Sequence, residues 1–300
     1  MRPSRAIGLY AIAVILLGAA FAPWLFWGVQ RFAAGSMFAR YPFHRVFDRS
    51  EMIVALVGLW PLLGVLGLRS WSRLGYPAAS AWWRHLLAGF VIGVGSLAVI
   101  VIVTIVLGLR PTHFDKSAGE VAGAVLKFLM VGIAVALIEE TFFRGVVQGA
   151  WQRQMNATLA VVWASIVYSA LHFLKPNLVK IAPDQVSWDS GFTCLAGIAT
   201  HSFRDRDSLA GFVTLFLAGG VLGLAYFRTG ALYLPIGLHA GWVLANEFGR
   251  WLGGGSVIEY VTCWPMLVLL LVLMARLCRT TFKPLRTGTP SGSGPAAPST

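Results

Sequence analysis

Two adjacent carboxylates, Glu139 and Glu140, stand inside the apolar run VGIAVALIEETFFRGVVQGAW, in a chain that carries only 12 acidic residues. A charge at mid-bilayer or in a core is costly, so such residues are functional candidates by default. Arg144 follows Glu140 by one helical turn and can pair with it on one face. Glu139 points about 100° away and stays free for another partner. The spacing therefore predicts one structural and one chemical carboxylate. Two further apolar runs each carry an imidazole: His172 lies near the end of WASIVYSALHF, and His239 lies midway along LYLPIGLHAGWVLANEF. If the three segments converge, they form a polar site inside a helix bundle.

A carboxylate with two imidazoles suits an activated water attacking a carbonyl. Glu139 would be the general base, and His172 would orient the water and protonate the leaving amine. His239 would donate to the developing oxyanion. The same three side chains are also a His₂Glu zinc set, so a bound zinc is an equal reading of these residue types. No Ser or Cys nucleophile stands at a recognisable spacing from a base, and HExxH is absent. Each residue also has a plainer role: Glu140 and Arg144 as a structural ion pair, His172 as a cap, His239 as an interhelical hydrogen-bonder.

The elements that carry these residues are membrane helices. Of the 300 residues, 57% are hydrophobic and only 12% charged, and the mean hydropathy is +0.72. A soluble domain has about 25% charged residues. The apolar runs are long and continuous, without the alternation of an outer-membrane barrel. The expected fold class is all-α: a polytopic membrane helix bundle of about eight transmembrane helices. They fall near residues 7–29, 52–68, 86–109, 121–150, 158–174, 209–227, 232–248 and 257–277. The first reads as a retained anchor rather than a cleaved signal.

Residues 1–120 would be N-terminal spans, with an interfacial segment at 69–84 rich in Trp and Arg. Residues 121–250 would be the catalytic core and 251–280 the last span. The Gly/Pro/Ser/Thr-rich tail at 281–300 should be disordered. The connection from Lys175 to Asp207 should be partly structured. Gly89 with Gly93, and Gly219 with Gly223, have the GxxxG spacing of close helix packing.

The net charge of +12 lies mostly between apolar runs, where arginine meets lipid headgroups, and no nucleic-acid partner is implied. Basic residues divide evenly between the two faces. The cluster near the C-terminus favours cytoplasmic termini in a bacterial plasma membrane. Cys194, Cys263 and Cys278 show no CxxC spacing, so no disulfide framework is expected.

These segments resemble the CPBP family, which comprises CAAX-type prenyl endopeptidases and bacterial enzymes of bacteriocin processing and immunity. Its EExxxR signature matches Glu139 to Arg144. Its aromatic-x₃-His signature matches Tyr168 to His172, with Tyr where Phe is usual. Its third signature is a His with Asn or Asp four residues on, and it matches His239 only. Val243 departs from it, and Asn246, seven residues on, is a candidate substitute. The resemblance covers roughly Val121 to Glu247. It implies a glutamic-type intramembrane endopeptidase, formerly classed as a metalloendopeptidase, acting on a membrane-associated protein or peptide. By it, Glu139 activates water with His172, and His239 helps to form the oxyanion hole. A non-catalytic immunity or scaffold protein, and a proton-coupled transporter using Glu139, Glu140 and the histidines, are the competing readings.

Overall fold

The computed structural model describes residues 2–108, 115–172, 179–201, 206–253 and 258–280. Among them every regular element is a helix. In chain order they are α1 (Pro3–Phe32), α2 (Phe43–Leu66) and α3 (Trp82–Val106). Then come α4 (Ala118–Trp151), α5 (Ala157–His172) and α6 (Ser190–His201). Last are α7 (Arg206–Thr229), α8 (Tyr233–Gly253) and α9 (Ile258–Thr280).

Each expected span falls on a helix, but their standing in a membrane differs. Five helices, α1, α2, α3, α4 and the Leu209–Thr229 part of α7, are long and apolar enough to cross one. The protein is thus an integral membrane protein with an all-helical fold. The count of eight does not follow. Among the described residues α5 has 16, about 24 Å of helix, against a hydrocarbon core of about 30 Å. α8 is long but less apolar, and nearly every residue from Leu234 to Gly241 is buried by other helices.

Local chemistry sets the ends. α4 opens on a capping box: the Ser117 hydroxyl accepts from the Glu120 amide, and the Glu120 carboxylate accepts from the Ser117 amide. This arrangement satisfies two of the amides a helix start leaves open. α2 ends at Gly67, whose φ of +67° is a left-handed conformation. Leu68 N–H then closes back on Leu63 O at 2.8 Å, a Schellman stop that needs glycine at that place.

α8 is the central element. Its Gly237 and Gly241 face Leu86 and Phe90 of α3, while Gly89 and Gly93 of α3 face Leu234 and Leu238 of α8. A Cβ at any of the four would strike the partner's backbone, so reciprocal glycines let the two helices touch. Gly132 of α4 meets Ala240 on another face of α8. A third face packs Leu234 and Leu238 against Leu222 of α7 and Leu267, Leu270 and Met274 of α9.

A second layer joins α1, α2 and α6 through Ala19, Phe26, Phe43, Phe47, Cys194 and Ile198. The expected connection from Lys175 to Asp207 thus contains a packed helix. α2 begins nine residues before the expected span, which brings Asp48 and Glu51 into the helix; Glu51 lies against Gly18 of α1. Residues 69–81 of the expected interfacial segment form turns and irregular chain, and its last three residues, 82–84, open α3. The tail at 281–300 and residues 173–178 and 202–205 of the long connection lie outside the described residues.

Candidate active site

The turn after Glu140 departs from α geometry: Thr141–Gln148 is π-helical. Its wider i→i+5 bonding is typical of helices at functional sites. Within it, Arg144 and Gln148 both aim at α7. Arg144 Nη2 donates to Gly219 O at 3.3 Å, and Gln148 Nε2 donates to Gly223 O at 2.8 Å. Two side chains four residues apart thereby meet two carbonyls four residues apart. The Gly219/Gly223 spacing, readable in the sequence as a packing face, also brings α7 onto Ser165 and Val161 of α5.

Glu140 lies at the closed end of the site. Its Oε1 accepts from Arg144 Nη1 at 2.9 Å and stands 2.7 Å from His239 Nδ1. Glu140 and Arg144 are 0% and 1% exposed. A charge so buried requires an opposite charge and full hydrogen bonding, and the ion pair supplies the first. Tyr168 completes this layer: the Arg144 guanidinium lies 4.6 Å from its ring centroid. The same ring lies 4.4 Å from the imidazole of His172 and 6.4 Å, edge-on, from that of His239.

Glu139 lies at the open end. Its Oε2 is 3.5 Å from His172 Nε2 and 3.9 Å from His239 Nε2. The Glu139 and His172 side chains are 24% and 32% exposed, against 7% for His239. His172 Nδ1 lies 2.8 Å from Tyr168 O. A carbonyl only accepts, so Nδ1 carries the proton and fixes the ring's orientation. In the neutral ring, Nε2 then turns a lone pair toward Glu139. Two acceptors face each other across 3.5 Å, a gap suited to one proton or one donor between them.

Five of the six residues singled out in the sequence therefore meet: Glu139, Glu140, Arg144, His172 and His239. Asn246 does not. It lies about 10 Å along α8 from His239, exposed, with its amide toward Glu247. Val243 sits one turn beyond His239 with its Cβ over the open face of Gly132.

The three side chains are not all drawn in to the spacing of zinc ligands. Ligands of one tetrahedral zinc, each about 2.0–2.2 Å from it, lie about 3.3–3.5 Å apart. Glu139 and His239 are wider than that at 3.9 Å. Among the described residues no three His, Cys, Asp or Glu side chains are grouped to hold a metal.

Sequence reasoning passed over the second glycine pair of α3 and α8, though Gly237-x₃-Gly241 brackets His239 and was legible. It also passed over Gln148 and the segment that closes one end of the site. Tyr76 and Thr141 share a hydroxyl–hydroxyl hydrogen bond, Leu74 O lies against Gly145, and Gly75 O accepts from Leu232 N–H at 2.8 Å. Burial holds the Tyr76 phenol above its ordinary range, so it remains a neutral hydroxyl beside Thr141.

No curated protein and no solved structure matches the chain. A family match does cover the segment from the first turn of α4 to the middle of α8, less than half of the chain but all five clustered side chains. Residues 121–245 match the family described as type II CAAX prenyl endopeptidase Rce1-like, in agreement with the resemblance to the CPBP/CAAX protease family.

Proposed function

We propose that the protein is an intramembrane endopeptidase that cuts a membrane-associated protein or peptide with a water activated by Glu139. The observation that carries this reading is the division of labour between neighbouring carboxylates. Glu140 is neutralised by Arg144 behind the site, while Glu139 stays partly exposed and faces two imidazoles.

A water bound beside Glu139 Oε2 and His172 Nε2, within reach of both across their 3.5 Å separation, donates one hydrogen to each acceptor, which turns its lone pairs outward. Glu139 takes a proton as the oxygen attacks the peptide carbonyl. The oxyanion that forms needs a donor. His239 supplies one from Nε2 when both ring nitrogens are protonated, Nδ1 then donating to Glu140. In that state Glu139, Glu140, Arg144 and His239 sum to zero charge, a balance that suits a membrane interior. Collapse of the tetrahedral species breaks the C–N bond, and the proton held by Glu139 passes, directly or through His172, to the leaving amine. The products are a carboxylic acid and an amine. No step passes through a metal.

The expected setting is a bacterial plasma membrane with cytoplasmic termini. Val243 supports a second reading, a non-catalytic membrane protein of the same fold. The position one turn from His239 carries an aliphatic side chain packed on Gly132, leaving His239 as the single oxyanion donor. The test compares the protein termini of membranes from a wild-type strain and a Glu139→Gln strain at equal enzyme abundance. A membrane-associated protein that keeps a terminal segment only in the mutant identifies the substrate. Unchanged termini in both Glu139→Gln and His172→Ala strains would overturn the peptidase reading.

A further inference from the structure

The turn that follows α2 carries a basic hollow apart from the active site. It is lined by Gly64, Gly67, Arg69, Ser70 and Arg73 and measures about 360 Å³, room for a phosphate group and several waters. Each arginine is exposed and has one partner within the protein. The Arg69 guanidinium lies beside Gly64, with its carbon 5.0 Å from the Trp60 ring centroid. Arg73 Nη1 donates to Gly67 O at 3.0 Å. Each guanidinium has five N–H donors, so most remain to be met from outside. No acid lies nearby in the chain: the sequence holds no Asp or Glu between Glu51 and Asp115.

The depth of the hollow narrows the choice of ligand. It stands at the end of an apolar helix, between Trp60 and Trp71, both largely exposed. Indole rings in such positions sit at the level of lipid headgroups. Planar guanidinium forks match phosphate oxygens in pairs. We propose that this hollow binds the phosphate of an anionic phospholipid headgroup. The bound lipid would steady residues 67–81 from outside, while Leu74, Gly75 and Tyr76 of that segment touch α4 and α8 on the inside. The proposal does not depend on peptidase activity.

The test is native mass spectrometry of the full chain in detergent, titrated with phosphatidylglycerol or phosphatidylcholine. An arginine near an anionic headgroup contributes roughly fivefold in affinity. Phosphatidylglycerol adducts should therefore exceed phosphatidylcholine adducts, and Arg69→Gln with Arg73→Gln should bring the two level. Arg84→Gln, an exposed interfacial arginine stacked on Trp83 outside the hollow, should leave the preference intact. Gel filtration of each variant reports its fold, and the single variants Arg69→Gln and Arg73→Gln serve if the double variant is not monodisperse. Equal adducts of both lipids on the wild type would overturn the proposal. So would an equal loss in Arg84→Gln, which would indicate a diffuse basic surface, or displacement of the lipid by millimolar inorganic phosphate, which would indicate a site for free phosphate.

Discussion

Glu139 and Glu140 share a peptide bond and the imidazole of His239, but differ in burial and in charge partner. One is enclosed with an arginine and an imidazole; the other is open to the site and faces two imidazoles. Substitution should separate them by readout. Glu139→Gln should lower cleavage by about 10²–10⁴-fold, the range for loss of a general base, without changing thermal stability in detergent. Glu140→Gln should act the other way round. It leaves the Arg144 charge buried without its carboxylate, which costs about 3–5 kcal/mol, and the protein should unfold at lower temperature whatever its residual rate. Equal stability of the two variants would show that the ion pair is not structural. Chelators belong to the same scale. With no three candidate ligands grouped among the described residues, cleavage should survive dialysis against EDTA, and activity that is lost and then restored by zinc would show a metal site instead.

Helices set these side chains by how closely their backbones approach. α3 shows this with two glycines on one helix. A Cβ on Gly93 would strike Leu238 O and Gly241 of α8, whereas a Cβ on Gly95 meets nothing within 4 Å. Gly93→Leu should push α8 outward and carry His239 with it. A misplacement of about 1 Å costs roughly 10²-fold in rate, so activity should fall by that order, while Gly95→Leu should match the wild type. The contrast checks whether position, rather than apolar bulk on α3, is what matters. It also shows how far the sequence could be read. Charges and imidazoles in apolar runs stand out because lipid penalises them, so Glu139, Glu140, Arg144, His172 and His239 were legible. The π-helical turn was not, because TFFRGVVQ has no period that distinguishes i→i+5 from i→i+4 bonding. α6 was passed over because SGFTCLAGIATH is short, rich in small residues and preceded by Pro183, Asp184 and Asp189, a composition shared with loops. The count of eight spans is not confirmed at α8 for a different reason: a helix enclosed by other helices needs no lipid-matched surface, so hydropathy does not measure its role.

The whole molecule extends the site beyond the matched segment. Residues 121–245 hold every clustered side chain, yet α8 is gripped on one face by α3, which precedes the match, and on another by α9, which follows it. Lipid supplies no hydrophobic drive for helix association, so the bundle depends on close van der Waals packing. Removing α3 would strip α8 of the contacts at Gly237 and Gly241, on either side of His239. Removing α1 and α2 costs α4 the packing of Ile7 against Val147 and Ala150 but leaves the α3–α8 seam whole. Two truncations separate these contributions. A fragment of residues 67–280 keeps α3 and the turn segment over Gly145, and should run as a monodisperse species in detergent and retain Glu139-dependent cleavage. A fragment of residues 115–280 has the entire matched segment but no α3, and should aggregate or be degraded on expression. Gel filtration with a cleavage assay reads both. If the shorter fragment were monodisperse and active, α4, α5, α7, α8 and α9 would suffice to place His239, and the reciprocal glycines would be packing without consequence for the site.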